Sequence, residues 1–122
     1  MRSKETNSAN FITDLVRTHF DQACDLFLLN SGTLRSNQII PRGDITIRTI
    51  QDLIPYPDKV VLLKVRGDLL KSLLENAVSA FPALEGKFCS ISGFAFSFDP
   101  EQPVGDRIHS VKNLNGKPMD LS

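Results

Sequence analysis

Asn30 and Arg35 stand five positions apart in LLNSGTLRS, and the chain's one tyrosine, Tyr56, lies farther on in LIPYP. The guanidinium of Arg35 carries planar, permanently charged donors that match phosphate oxygens. Asn30 can donate and accept simultaneously. Tyr56 offers a flat aromatic face directly after Pro55. By type alone each residue also has an ordinary role: a solvated arginine, an asparagine satisfying turn backbone, an aromatic lying on the surface. Other chemistry finds no pattern. His19 and His109 have no HxxxH or DxH context, and two isolated histidines do not make a closed metal site. Ser31 has no nucleophile elbow around it. The acidic residues Asp14, Asp25, Asp44, Asp52, Glu75 and Asp99 are spread over different segments, and GDL at 67–69 reads as a strand-to-helix turn rather than a phosphate-binding glycine loop. The sequence therefore predicts no catalytic residue and no metal ligand in this chain.

The frame around these residues is ordinary. A chain of 122 residues is one domain's worth and large enough for a single modest core. With 14 basic and 14 acidic side chains the formal charge is zero, so no global field draws in nucleic acid or an anionic membrane. Any anion site must be local. No apolar stretch approaches the ~20 residues needed to span a bilayer. Cys24 and Cys89 lie in apolar-leaning segments without metal-ligand spacing, and read as buried, reduced thiols. That leans toward a reducing compartment. The opening MRSKETNSANF has no apolar core of a secretory signal, so none is expected in this chain.

The elements that must position these side chains alternate in type. NSANFITDLVRTHF repeats its apolar residues at helical spacing, with Asn7 or Ser8 expected as the cap. DLFLLN reads as a short buried strand that ends at Asn30. TIRTIQDLI gives one or two helical turns before Pro55 and Pro57 stop it. KVVLLKV, rich in β-branched residues, predicts a second buried strand. RGDLLKSLLENAVSAF is the clearest helix, with Leu69, Leu70, Leu73, Leu74, Ala77, Val78 and Phe81 in one apolar stripe and Asp68 near its start. Phe94, Phe96 and Phe98 alternate as on one face of a strand. DRIHSVKNLNGKPMDL suggests a hairpin turning at Asn115-Gly116 through a two-residue turn with positive φ. The fold class is α/β (α+β): a mixed β-sheet with packed helices in a single unit spanning 1–122.

Taken in order, RSKETNSANFITDLV, LLNSGTLRS, GDITIRTIQDLIPYPDKVVLLKVRGDLLKSLLENAV and GKFCSISGFAFSFDPEQPVGDRIHSV resemble the carboxyl-terminal domain of the 5'-nucleotidase family. That family includes ecto-5'-nucleotidase and the periplasmic UDP-sugar hydrolases. The resemblance covers nearly the whole chain. It implies a two-domain parent: an amino-terminal metallophosphoesterase domain holding two divalent metal ions and performing hydrolysis, with this domain gripping the nucleotide and rotating it toward the metals. This chain would need no cofactor of its own and would not catalyse alone.

The resemblance also assigns substrate-binding roles. The family's LNGGGIR loop falls on Asn30 to Arg35, its pre-helix arginine on Arg2, and the phenylalanine of its LPF motif on Tyr56. Arg2 and Arg35 would clamp a phosphate from two sides while Tyr56 stacks on the base. Two departures bear on affinity: Ser31-Gly32-Thr33 replaces the glycine triplet, and the family's later FLANGGDGF-like segment, with a second aromatic clamp, would lie beyond Ser122. The expected partners are a nucleotide or nucleoside and the parent's metallophosphoesterase domain, with a homodimer open and no nucleic acid. Typical members are extracytoplasmic, against the reducing lean of the thiols. The competing expectation is a non-catalytic protein-interaction or structural module built on the same domain.

Overall fold

The computed structural model describes residues 2–35 and 39–122. Among them, helices and strands follow in the order α1 (Asn7–Phe20), β1 (Phe27–Asn30), α2 (Ile47–Leu53), α3 (Gly67–Val78), β2 (Cys89–Ser92), β3 (Phe94–Phe98) and β4 (Ile108–Asn113), with one 3-10 turn at Asp21–Ala23. The class is the expected mixture of α and β. Its β structure comes as two antiparallel ladders, β1 with β2 and β3 with β4.

Helix α1 buries Ala9, Ile12 and Thr13 against the β1–β2 ladder. Its cap is Thr6, not Asn7 or Ser8. Thr6 keeps extended backbone, and its hydroxyl accepts from the amide of Ala9 at 3.4 Å, while Asn7 turns its side chain to the amide of Ser8. Fully buried Thr13 sends its hydroxyl toward the carbonyls of Ala9, Asn10 and Ile91 at 3.0 to 3.1 Å, pinning the helix to β2. A second pin is polar: Arg17 Nε donates to Ser92 Oγ at 2.9 Å, and Ser92 donates to Asp14.

Gly93 alone separates β2 from β3. Its φ is +89°, and a Cβ there would fall 2.2 Å from the carbonyl oxygen of Asp25, so only glycine fits. The chain thereby leaves one ladder and enters the other.

Two apolar cores result. One gathers Leu70, Leu74 and Ala77 of α3 with Cys89, Phe94 and Val111. The other gathers Ala9 and Ile12 of α1 with Leu34 and Leu53, and Leu29 packs against it. Both cysteines are buried and free. Burial pushes the Cys89 thiol up to about 11 from 9.0, because the thiolate is poorly solvated there. The neutral thiol therefore contributes stability that is complete below about pH 9 and lost as pH rises toward 11. At pH 8, thiolate at Cys89 should be about 100-fold scarcer than in the unfolded chain. Alkylation followed by peptide mass mapping should show Cys89 reacting at least 100-fold more slowly in the native state than in denaturant. Comparable rates would contradict this burial.

Three further expectations from the sequence differ in the fold. Residues 59–65 form no strand; Val61 is 68% and Leu63 75% exposed, and among the described residues no ladder partner pairs with them. A strand is held by its neighbour's hydrogen bonds, so β-branched composition alone does not make one. In α3 the apolar stripe is narrower than its sequence suggests, since Leu69 and Leu73 are 49% and 43% exposed. The turn after β4 is not the two-residue type with paired positive φ. Only Gly116 has positive φ, at +74°, because the Asn113 carboxamide oxygen accepts the amides of Asn115 and Lys117 and shapes a longer turn.

Candidate functional site

Strand β1 delivers Asn30 to its own carboxyl end, where it pairs with Cys89. The chain then turns sharply while staying bonded to the strand opposite: Ser31 N–H donates to the Phe88 carbonyl at 2.6 Å and Gly32 N–H to the Gly86 carbonyl at 2.8 Å. Gly32 and Gly86 meet backbone to backbone, and a Cβ on either would lie 3.0 to 3.1 Å from the other's Cα. Here glycine serves close approach: a side chain on Gly32 would crowd the Gly86 backbone, which would have to give by a few tenths of an ångström. Ser31, fully buried beside it, has no hydrogen-bond partner for its hydroxyl among the described residues.

Arg35 is placed by the other end of the loop. Its N–H donates to the carbonyl of Leu53, the last residue of α2, at 2.8 Å. Pro55 prevents α2 from continuing, and the chain turns out through Tyr56. The backbone bond at Leu53 therefore sets Arg35 and Tyr56 beside each other, with the guanidinium carbon 5.2 Å from the tyrosine ring centroid. That separation is a cation–π contact. Tyr56 remains 47% exposed, so the ring is accessible to a flat ligand.

Asn30 is held by two neighbours. Thr33 Oγ1 donates to its Oδ1 at 3.0 Å, and its Nδ2 donates to the Gly86 carbonyl at 3.4 Å. Arg2 comes to the same turn, with Nη1 donating to the Leu84 carbonyl at 3.4 Å. The structure thus brings Arg35 against Tyr56, and brings Asn30 and Arg2 onto the 84–86 segment. No described contact joins Arg2 to Arg35. Asn30, Thr33 and Tyr56 share the wall of an open groove of about 1310 Å³, whose remaining lining is largely apolar and includes Leu28, Ile54 and Val60.

The sequence pointed to four of these residues, gave Thr33 only as a departure from a family motif, and missed Leu84 and Gly86. Thr33, Leu84 and Gly86 contribute a hydroxyl and two carbonyls, and the carbonyls carry no side-chain signature; only the fold brings residues 84–86 to the turn after β1. Among the described residues no three His, Cys, Asp or Glu side chains gather as a metal site would require. His19 and His109 are both exposed, and the His19 ring packs edge-on against Phe20. No helix of the described residues is long and apolar enough to cross a membrane.

Comparison with known proteins agrees with this architecture. The family model described as 5'-nucleotidase, C-terminal domain matches residues 1–122. The trifunctional nucleotide phosphoesterase protein YfkN of Bacillus subtilis is 28% identical over 114 residues, covering 92% of this chain and 8% of that protein. Human 5'-nucleotidase is 26% identical over 117 residues, covering 88% of this chain and 20% of its own length. The crystal structure of a 5'-nucleotidase precursor from Thermus thermophilus superposes with a TM-score of 0.90 at 32% identity, covering 98% of this chain and 24% of that one. The chain therefore spans a quarter or less of each of these three proteins. From its family model and its fold, this chain belongs to the 5'-nucleotidase C-terminal domain family.

Proposed function

We propose that this domain is a nucleotide-recognition unit that binds and orients a nucleotide and carries out no chemistry itself. The observation that carries the reading is the juxtaposition of Arg35 and Tyr56 at 5.2 Å, beside a groove that Asn30 and Tyr56 share. A guanidinium next to an aromatic ring supplies the two contacts a nucleotide needs at opposite ends: donors for phosphate and a face for the base. Asn30 supplies hydrogen bonds between them. Arg2, tied to the Leu84 carbonyl through one nitrogen only, keeps its other guanidinium donors for a second approach to phosphate. Hydrolysis in the parent protein would fall to two divalent metal ions in a separate amino-terminal domain, toward which this one would present the phosphate.

Calorimetric titration of this chain with AMP tests the proposal. Saturable one-to-one binding is expected. In Tyr56→Ala it should weaken by about 10-fold, since stacking of a base on an aromatic ring is worth roughly 1–3 kcal/mol. Tyr56→Phe, which keeps the ring face, should bind within about twofold of the native chain. Equal affinity in the native and alanine forms would remove Tyr56 from the site.

A further inference from the structure

The Asn30 carboxamide is the one site group whose two ends present opposite hydrogen-bonding characters, and its orientation decides what a ligand meets. In this chain both ends are engaged. The Gly86 carbonyl only accepts, so it draws Nδ2; the opposite end, Oδ1, takes the proton of the Thr33 hydroxyl at 3.0 Å. Thr33 is itself fixed, since its N–H donates to the Asn30 carbonyl at 3.1 Å, closing a turn around the same asparagine. Its single hydroxyl proton is committed to Oδ1, so toward the groove it offers only acceptor lone pairs. A glycine at position 33 could do neither.

We propose that Thr33 is a positioning and specificity residue, resting on the nucleotide-recognition reading above. It locks Asn30 so that the free Nδ2 proton and one Oδ1 lone pair keep fixed directions, and it places beside them an acceptor for a hydroxyl donor of the ligand, as on a ribose. Phosphate recognition by Arg35 lies outside this lock, because Arg35 is positioned separately through Leu53 and Tyr56.

The test compares Thr33→Val, which keeps the shape and removes the hydroxyl, with Thr33→Ser, which keeps the hydroxyl. AMP and inorganic phosphate are titrated against the native chain and both variants. Thr33→Val should bind AMP about 5- to 10-fold more weakly, with its phosphate affinity unchanged, and Thr33→Ser should bind AMP within about twofold of native. Loss of AMP affinity in both variants, or equal loss for AMP and phosphate in Thr33→Val, would reduce Thr33 to a structural role and overturn the inference. So would native AMP affinity in Thr33→Val. The Asn30 side-chain amide resonances give a ligand-free measure. They should be well dispersed in the native chain and in Thr33→Ser, and collapse toward random-coil positions in Thr33→Val; unchanged resonances there would defeat the lock directly. If the native chain binds no AMP while these resonances behave as expected, the nucleotide reading fails and the lock stands.

Discussion

Arg35→Ala is expected to lower the affinity of this chain for AMP by about 100-fold. A charge-assisted hydrogen bond contributes roughly 1.5–3 kcal/mol, and a guanidinium engages phosphate through two of them in parallel. Even at the lower end, losing a bidentate contact costs about 3 kcal/mol, which is a factor near 100. Arg35→Lys should fall between, at about a 10-fold loss, because an ammonium keeps the charge and loses the planar fork. The substitutions should leave the fold intact, since Arg35 is exposed and its structural bond to Leu53 is made by the backbone. Arg48→Ala is the matched control: it removes an exposed arginine on α2 whose pairing with Asp52 at 3.0 Å is a surface contact of small value. If Arg35→Ala and Arg48→Ala bind AMP alike, Arg35 is a surface residue and the phosphate assignment is wrong.

The second large effect is on stability. Glu75 is 8% exposed on α3, and its carboxylate accepts the backbone N–H groups of Arg107 at 2.9 Å and Ile108 at 2.7 Å, where β4 begins. The Arg107 side chain returns toward α3, donating to the carbonyls of Val78, Ser79 and Phe81 and satisfying groups that the helix end leaves open. Glu75→Ala would strand two partly buried amides and loosen the arginine that caps the helix. At about 1–3 kcal/mol for each unsatisfied group, the loss should be about 3–4 kcal/mol, a large part of a typical domain's roughly 5–15 kcal/mol. Glu75→Gln keeps one acceptor and should lose about half as much. Urea unfolding curves measure both; a Glu75→Ala loss below about 1 kcal/mol would mean that β4 is held by its pairing with β3 alone.

Periodicity made α1, α2 and α3 legible because their apolar residues recur at helical spacing, and Pro55 marked where α2 must stop. β3 was legible from the alternation of Phe94, Phe96 and Phe98; in the fold Phe94 enters the core while Phe98 packs edge-on against Phe81 at 5.1 Å. The failure at 59–65 has a physical cause. Pattern reports what a segment would bury, and not whether a neighbouring strand is present to bury it. Glu75 shows the same limit for polar residues: on a helix it reads as a surface charge, and only the arrival of β4 makes it a buried acceptor. At the site, Arg2, Asn30, Arg35 and Tyr56 stood out through resemblance to a family motif. Composition could not have separated them from any surface arginine, asparagine or loop tyrosine. Thr33 was visible only as a departure from that motif, and its hydrogen bond to Asn30 gives the departure a meaning.

Amide and side-chain chemical-shift mapping of this chain during titration with AMP shows whether a nucleotide settles on this loop. Saturable shifts are expected at Asn30 to Arg35, at Tyr56, at Arg2 and across Leu84 to Gly86, with the β3–β4 ladder unmoved. No saturable shift, or shifts centred on β3 and β4, would contradict nucleotide recognition here.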